Sequence, residues 1–179
     1  MPLSAWCAAS PRISASRRPT PPAAALREVA GLPVIGPGAS AVHLAAQFGD
    51  RFGVLSSEPT PTGLHARFRA LGVADLFVSE RMVGCSVLDL ARRPDKALDR
   101  IVAAGKGCLQ DGADILVLGC LGMGFQRGLV ARLTENVGAP VINPVVAALK
   151  TAEAALALGL TSTRPERKTD DSVVSLEGR

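Results

Sequence analysis

A chain of 179 residues that is 47% hydrophobic has enough apolar material for one medium domain or two small interlocking ones, and this composition excludes a disordered polymer. With 3% aromatic residues and no tyrosine it offers no stacking platform for nucleic acid, and the arginines behind its +4 charge include Arg12, Arg17 and Arg18, in a stretch without an acidic residue before Glu28. Its apolar runs are too short to span a bilayer, so neither nucleic acid nor membrane is an expected partner.

Residues 1–23 hold Pro2, Pro11, Pro19, Pro21 and Pro22 among serines and arginines, without apolar periodicity, which predicts a disordered or aberrant leader. Beyond it, short β-branched runs predict strands over 32–35, 52–55, 76–83, 115–118 and 141–142. Longer amphipathic segments predict helices over 39–48, 61–71, 95–110, 125–136 and 145–158. Strands separated by helices need crossover connections, so the expected class is α/β, a parallel sheet with helices on both faces. Residues 164–179 are polar and are expected to form a flexible tail.

The segment GLPVIGP (residues 31–37) is repeated as GAPVINP (residues 138–144), 107 positions later, and an alanine-rich stretch follows each copy. Leu26 and Glu28 fall opposite Leu133 and Glu135 at the same spacing. Two halves built alike are implied, with a site where they face each other.

The most informative segment is GADILVLGCLGMG, residues 112–124. Four apolar residues in a row read as a buried parallel strand, and Gly119 and Gly122 permit a sharp exit into the next helix. Cys120 therefore falls beyond the carboxyl end of a strand, where open α/β sheets bind ligands. A thiol set before a helix N-terminus is a residue type suited to general acid/base work.

LGCLGM (118–123), followed by GAPVINPVVAALK (138–150), resembles the second-half signature of the aspartate/glutamate/hydantoin racemase superfamily, and the G-C-x-G-M form is most like its hydantoin and allantoin racemases. PVIG (33–36), RFGVLSS (51–57) and VLDL (87–90) fall in the same order as similar segments there. The resemblance implies two pseudo-symmetric Rossmann-like halves, each presenting one cysteine to opposite sides of a substrate α-carbon, with no cofactor. It makes Cys120 the catalytic acid/base, and Ser56, Ser57, Gly119, Leu121 and Gly122 the substrate-binding residues, supplying hydroxyl and backbone N–H donors to a carbanion. The implied organisation is a first-half remnant formed by residues 24–50 and 144–163, around a second half at 51–143. The substrate is a hydantoin, ureide or amino-acid derivative, and a homo-oligomer is expected.

One part of the pattern is missing. Counted back from Cys120, the repeat spacing lands on Ile13, in a stretch with neither an apolar run nor a glycine pair, and Cys7 nearby lacks a strand-turn-helix frame. A truncated first half and impaired racemisation are expected, through a wrongly started gene or a lineage that dispensed with the first thiol. The alternatives are a non-catalytic racemase-like fragment and a one-cysteine decarboxylase or isomerase, since arylmalonate decarboxylase resembles this superfamily while keeping only the second-half cysteine. Ala39 stands where many relatives carry a glutamate. Cys108 shares a helical face with Leu98, Ile101 and Val102 and reads as core; Cys85 reads as an inert thiol, and His43 and His65 as structural. No C-x-x-C pairing or ligand spacing points to a metal, and the expected setting is the reducing cytoplasm.

Overall fold

The computed structural model describes residues 26–27, 32–57, 63–92 and 94–160. The expected leader, including Cys7 and Ile13, and the expected tail lie outside the described residues. The chain divides into one compact unit over residues 35–161 and another made of residues 1–34 with 162–179. In the latter, Arg27 Nε donates to the Val34 carbonyl at 2.9 Å.

The larger unit runs α1 (Pro37–Phe48), β1 (Phe52–Ser56), α2 (Leu64–Ala70), a 3-10 turn (Ala74–Leu76), β2 (Phe77–Met82), α3 (Val87–Arg92), α4 (Pro94–Gln110), β3 (Ile115–Leu118), α5 (Leu121–Gly124), α6 (Leu129–Val137), β4 (Val141–Ile142) and α7 (Pro144–Ala157). All pairings are parallel, in the order β2-β1-β3-β4. β1 is central, and all five of its residues are buried. A strand covered on both faces needs apolar residues on both, which explains its FGVLS run.

Two cores follow from that burial. On one face Phe52, Val54, Ile115 and Val117 meet α1, α2 and α7, with the rings of Phe52, Phe68 and Phe77 packed at centroid distances of 4.9–5.7 Å. Each such ring pair adds about 1 kcal/mol beyond its buried area. On the other face Leu55, Leu116 and Leu118 meet α4 through Leu98, Ile101 and Cys108, and α6 through Leu129 and Leu133. No helix among the described residues is long and apolar enough to cross a membrane.

Two expectations need correction. Residues 32–35 form no strand, although they share their Pro-Val-Ile with the segment that becomes β4. A strand exists only through ladder partners, and the Val34 carbonyl is taken by a side chain instead. The helix expected over 125–136 begins late: residues 125–128 form a turn after the single helical turn α5, and Gly128 in the left-handed region (φ 70°) starts α6 at Leu129. The two repeat copies agree better downstream, since Pro37 and Pro144 each open a helix and those helices, α1 and α7, pack together.

Arg81 on the edge strand β2 holds Asp111 through two bonds, Nε to Oδ2 at 2.9 Å and Nη2 to Oδ1 at 2.6 Å. The Arg81 hydrogen bond lowers the Asp111 pKa. A carboxyl group depressed on folding stabilises the fold fully above its unfolded value, near 4, and loses that contribution as pH falls through the folded one. The urea midpoint of the parent is therefore expected to fall more steeply than that of Asp111→Asn between about pH 5 and pH 3. Parallel profiles in urea titrations would show that this pair does not act on stability.

Candidate active site

The carboxyl ends of β1, β2, β3 and β4 open on the same end of the sheet because every pairing is parallel. Beyond β3, Cys120 has extended backbone (φ −118°, ψ 126°) and is the residue immediately before the single turn α5. Its thiol is free and half-buried, resting against the α4/α6 core. The N–H groups of Leu121 and Gly122 open α5 and have no carbonyl one turn back to accept them. They point toward whatever occupies the space before the turn. One turn carries little macrodipole, so local N–H groups rather than a long helix set the field there.

Gly119 has a different role from the expected one. Its N–H donates to the Leu55 carbonyl at 2.7 Å and so is not available to a substrate. A Cβ at this position would lie 2.6 Å from Ser56 Oγ and 3.1 Å from the Leu55 carbonyl oxygen. The absent side chain is what lets the end of β3 close against the end of β1, and it brings Ser56 next to the Cys120 segment.

Ser56 is buried and donates its hydroxyl hydrogen to Glu80 Oε1, on β2, at 2.5 Å. With that proton committed, Ser56 Oγ meets a third group as an acceptor, not as the donor that the resemblance implied. Ser57 is half-buried at the bend that follows β1. Leu121, 46% exposed, turns its side chain largely to solvent.

Two further residues build the site and were not singled out as site residues from the sequence: Glu80 and Asn143. Asn143 Oδ1 accepts from Val145 N at 2.9 Å and caps α7, while its Nδ2 donates to the Gly124 carbonyl at 2.8 Å. One amide thus ties the end of the Cys120 turn to the start of α7. An asparagine before a proline after an apolar run is an N-cap signal legible in sequence. Glu80 carried no such signal, because its partner lies 24 residues away.

The remaining candidates are structural. Cys108 is fully buried and Cys85 nearly so, and burial raises both thiols, which makes them poor bases near neutral pH. His43 Nε2 lies 3.1 Å from the Leu71 carbonyl, and His65 stacks edge-on to Phe77. A cleft is lined by Cys85, Asp89, Lys96, Ala97 and Arg100, and Cys120 is not among its lining residues. Among the described residues no three of His, Cys, Asp and Glu gather as metal ligands.

Comparison with known proteins places this arrangement. A family model described as Asp/Glu/Hydantoin racemase matches residues 15–152, starting ahead of the leader boundary expected from sequence. The chain is 33% identical over 143 residues to a hydantoin racemase of Paenarthrobacter aurescens, an alignment that covers 78% of this chain and 59% of that protein. Its fold matches an allantoin racemase from Klebsiella pneumoniae (TM-score 0.68, 31% identity, 78% of this chain and 56% of that one). It also matches an allantoin racemase from Pseudomonas fluorescens (TM-score 0.71, 29% identity, 79% of this chain and 60% of that one). The chain therefore spans somewhat under two thirds of the length of these relatives.

Proposed function

The chain belongs to the Asp/Glu/hydantoin racemase family, and from that membership we propose that it moves the α-proton of a hydantoin, a related ureide or another amino-acid derivative, with Cys120 as its acid/base. The observation that carries this reading is the placement of the one half-buried free thiol among the described residues, at the carboxyl end of β3 and immediately before the turn α5. Similarity to a hydantoin racemase and an allantoin racemase supports the substrate class.

A carbon flanked by a carbonyl and a ring nitrogen gives up its proton when the resulting enolate is held by fixed donors. The Leu121 and Gly122 N–H groups are the donors available for the enolate oxygen. Ser56, held as an acceptor by Glu80, suits a ring N–H. The Cys120 thiolate takes the α-proton and, as the thiol, returns one to the same face. A single copy therefore exchanges that proton with retention, because inversion needs a second acid on the far side. The chemistry needs no electron sink beyond the substrate's own carbonyl.

The test is a single enantiomer of a five-substituted hydantoin in deuterated buffer. Deuterium is expected at the α-carbon faster than in a protein-free control, followed by magnetic resonance. Uptake equal to the control would end this reading, and carbon dioxide release from an arylmalonate would replace it with decarboxylation.

A further inference from the structure

One carboxylate on β2 is left over from the ion pairing of the fold. Successive residues of a strand point to opposite faces, and Arg81 is taken by Asp111 on the α4 side, the side to which its register partner Leu55 also belongs. Glu80 pairs in register with Val54 and lies on the other face, half-buried, where it accepts the Ser56 hydroxyl at 2.5 Å. Among the described residues Glu80 has no ion-pair partner, and Ser56 is its one hydrogen-bonded side chain. Ser56 Oγ in turn lies 2.6 Å from where a Cβ on Gly119 would fall, so the hydroxyl abuts the residue before Cys120. A hydroxyl has one hydrogen and two lone pairs, and with the hydrogen held toward β2 only the lone pairs remain for a ligand.

We propose that Glu80 is a positioning residue that sets specificity: by holding the Ser56 hydrogen it makes the site choose rings with an N–H beside the α-carbon over rings with an oxygen there. The inference rests on the proton-transfer reading above and narrows its substrate class to derivatives with a free α-N–H, excluding those built on α-hydroxy acids. An N–H that meets the buried Ser56 oxygen gains a hydrogen bond away from water. A ring oxygen meets a second acceptor there, and the serine cannot turn to greet it without breaking a bond to a carboxylate, which is stronger than one to a neutral group. A serine with no such partner turns its hydrogen toward a ring oxygen or its lone pair toward a ring N–H, and so does not choose between them. The discrimination therefore belongs to Glu80, which exerts it through Ser56 from the neighbouring strand.

The test compares two uncharged ligands of one shape, 5-benzyl-3-methylhydantoin and 5-benzyl-3-methyloxazolidine-2,4-dione, which differ in N–H against O beside the α-carbon. Binding to the full chain is followed by calorimetry, so no turnover is needed. The parent is expected to prefer the hydantoin by about tenfold or more, the worth of one hydrogen bond gained against one acceptor left unpaired. Glu80→Met keeps the length of the side chain and removes the acceptor, and should bring the ratio to within about twofold of unity, chiefly by tightening the oxazolidinedione. Glu80→Gln keeps an oxygen for the Ser56 hydrogen and should keep most of the preference, which separates the direction of the hydrogen bond from the charge. Ser56→Ala should lose the preference too, and adding Glu80→Met to it should move the ratio no further. A loosened fold would weaken both ligands alike and leave their ratio in place, and circular dichroism checks that each variant is folded. A parent that binds the two ligands equally, or binds neither, would overturn the inference, as would a parental ratio in Glu80→Met. A preference erased by Glu80→Met, in a chain that takes up no deuterium, would uphold the role of Glu80 and remove the proton-transfer reading; deuterium uptake with equal binding would do the reverse.

Discussion

Replacing Cys120 with serine is expected to slow α-proton exchange by about 10²- to 10⁴-fold, the usual contribution of a positioned acid or base, without moving the thermal midpoint. Serine keeps the shape of cysteine, and the position is half-buried at a strand exit rather than in the core, so the fold has little reason to respond. What changes is the chemistry: as residue types, a thiol gives up and takes back a proton far more readily than an alcohol. Cys85→Ala provides the comparison, since Cys85 belongs to the core and its loss should cost stability and leave exchange intact. Exchange by Cys120→Ser at the parent rate would remove Cys120 from the mechanism.

Gly119→Ala is expected to act on both fold and rate. The new methyl would sit 2.6 Å from Ser56 Oγ, 2.9 Å from Val54 Cγ1 and 3.1 Å from the Leu55 carbonyl oxygen. The serine hydroxyl could rotate only by giving up its bond to Glu80, and the carbonyl oxygen is fixed by the ladder bond it accepts from Gly119 itself. Overpacking of this kind costs about 1–3 kcal/mol, which lowers the midpoint of a domain this size by roughly 3–10 °C. The strain is relieved by moving the end of β3, and with it Cys120. A misplacement of about 1 Å at a reacting group costs on the order of 100-fold in rate. Calorimetry and deuterium uptake would be read on the same sample, and a variant that melts and exchanges like the parent would show that the β1–β3 closure does not position the thiol.

The sequence was most legible where one strand or helix is sufficient to itself. The ILVL run became β3 and the VI pair became β4 at the boundaries their patterns predict, because unbroken apolar runs bounded by Gly or Pro leave few other options. The position of Cys120 could be read in the same way, from a buried strand followed by a glycine bracket. Legibility failed where a residue's role depends on something distant. Val34 and Ile35 carry the same Pro-Val-Ile as β4 and form no strand. Gly119 reads as a flexible hinge and functions as a gap for Ser56. Ser56 reads as a hydroxyl donor, and only the carboxylate on a neighbouring strand shows where its proton goes. Helical periodicity likewise ran through 125–136 without registering that Gly128 would take the left-handed region.

The order of strands across the sheet also sets a timetable for synthesis. Strand β1, the first to be made, lies between β2 and β3, and its pairing with β3 joins residues about 60 positions apart. As the chain leaves the ribosome, β1 can pair with β2 early, but its other edge stays open until residue 118 has emerged. The turn that carries Cys120 is secured later still, when the Asn143 amide arrives to hold the Gly124 carbonyl. The Cys120 segment is thus among the last parts of the domain to be fixed, and a pause in translation before residue 143 would leave a partly built sheet with this turn still unanchored.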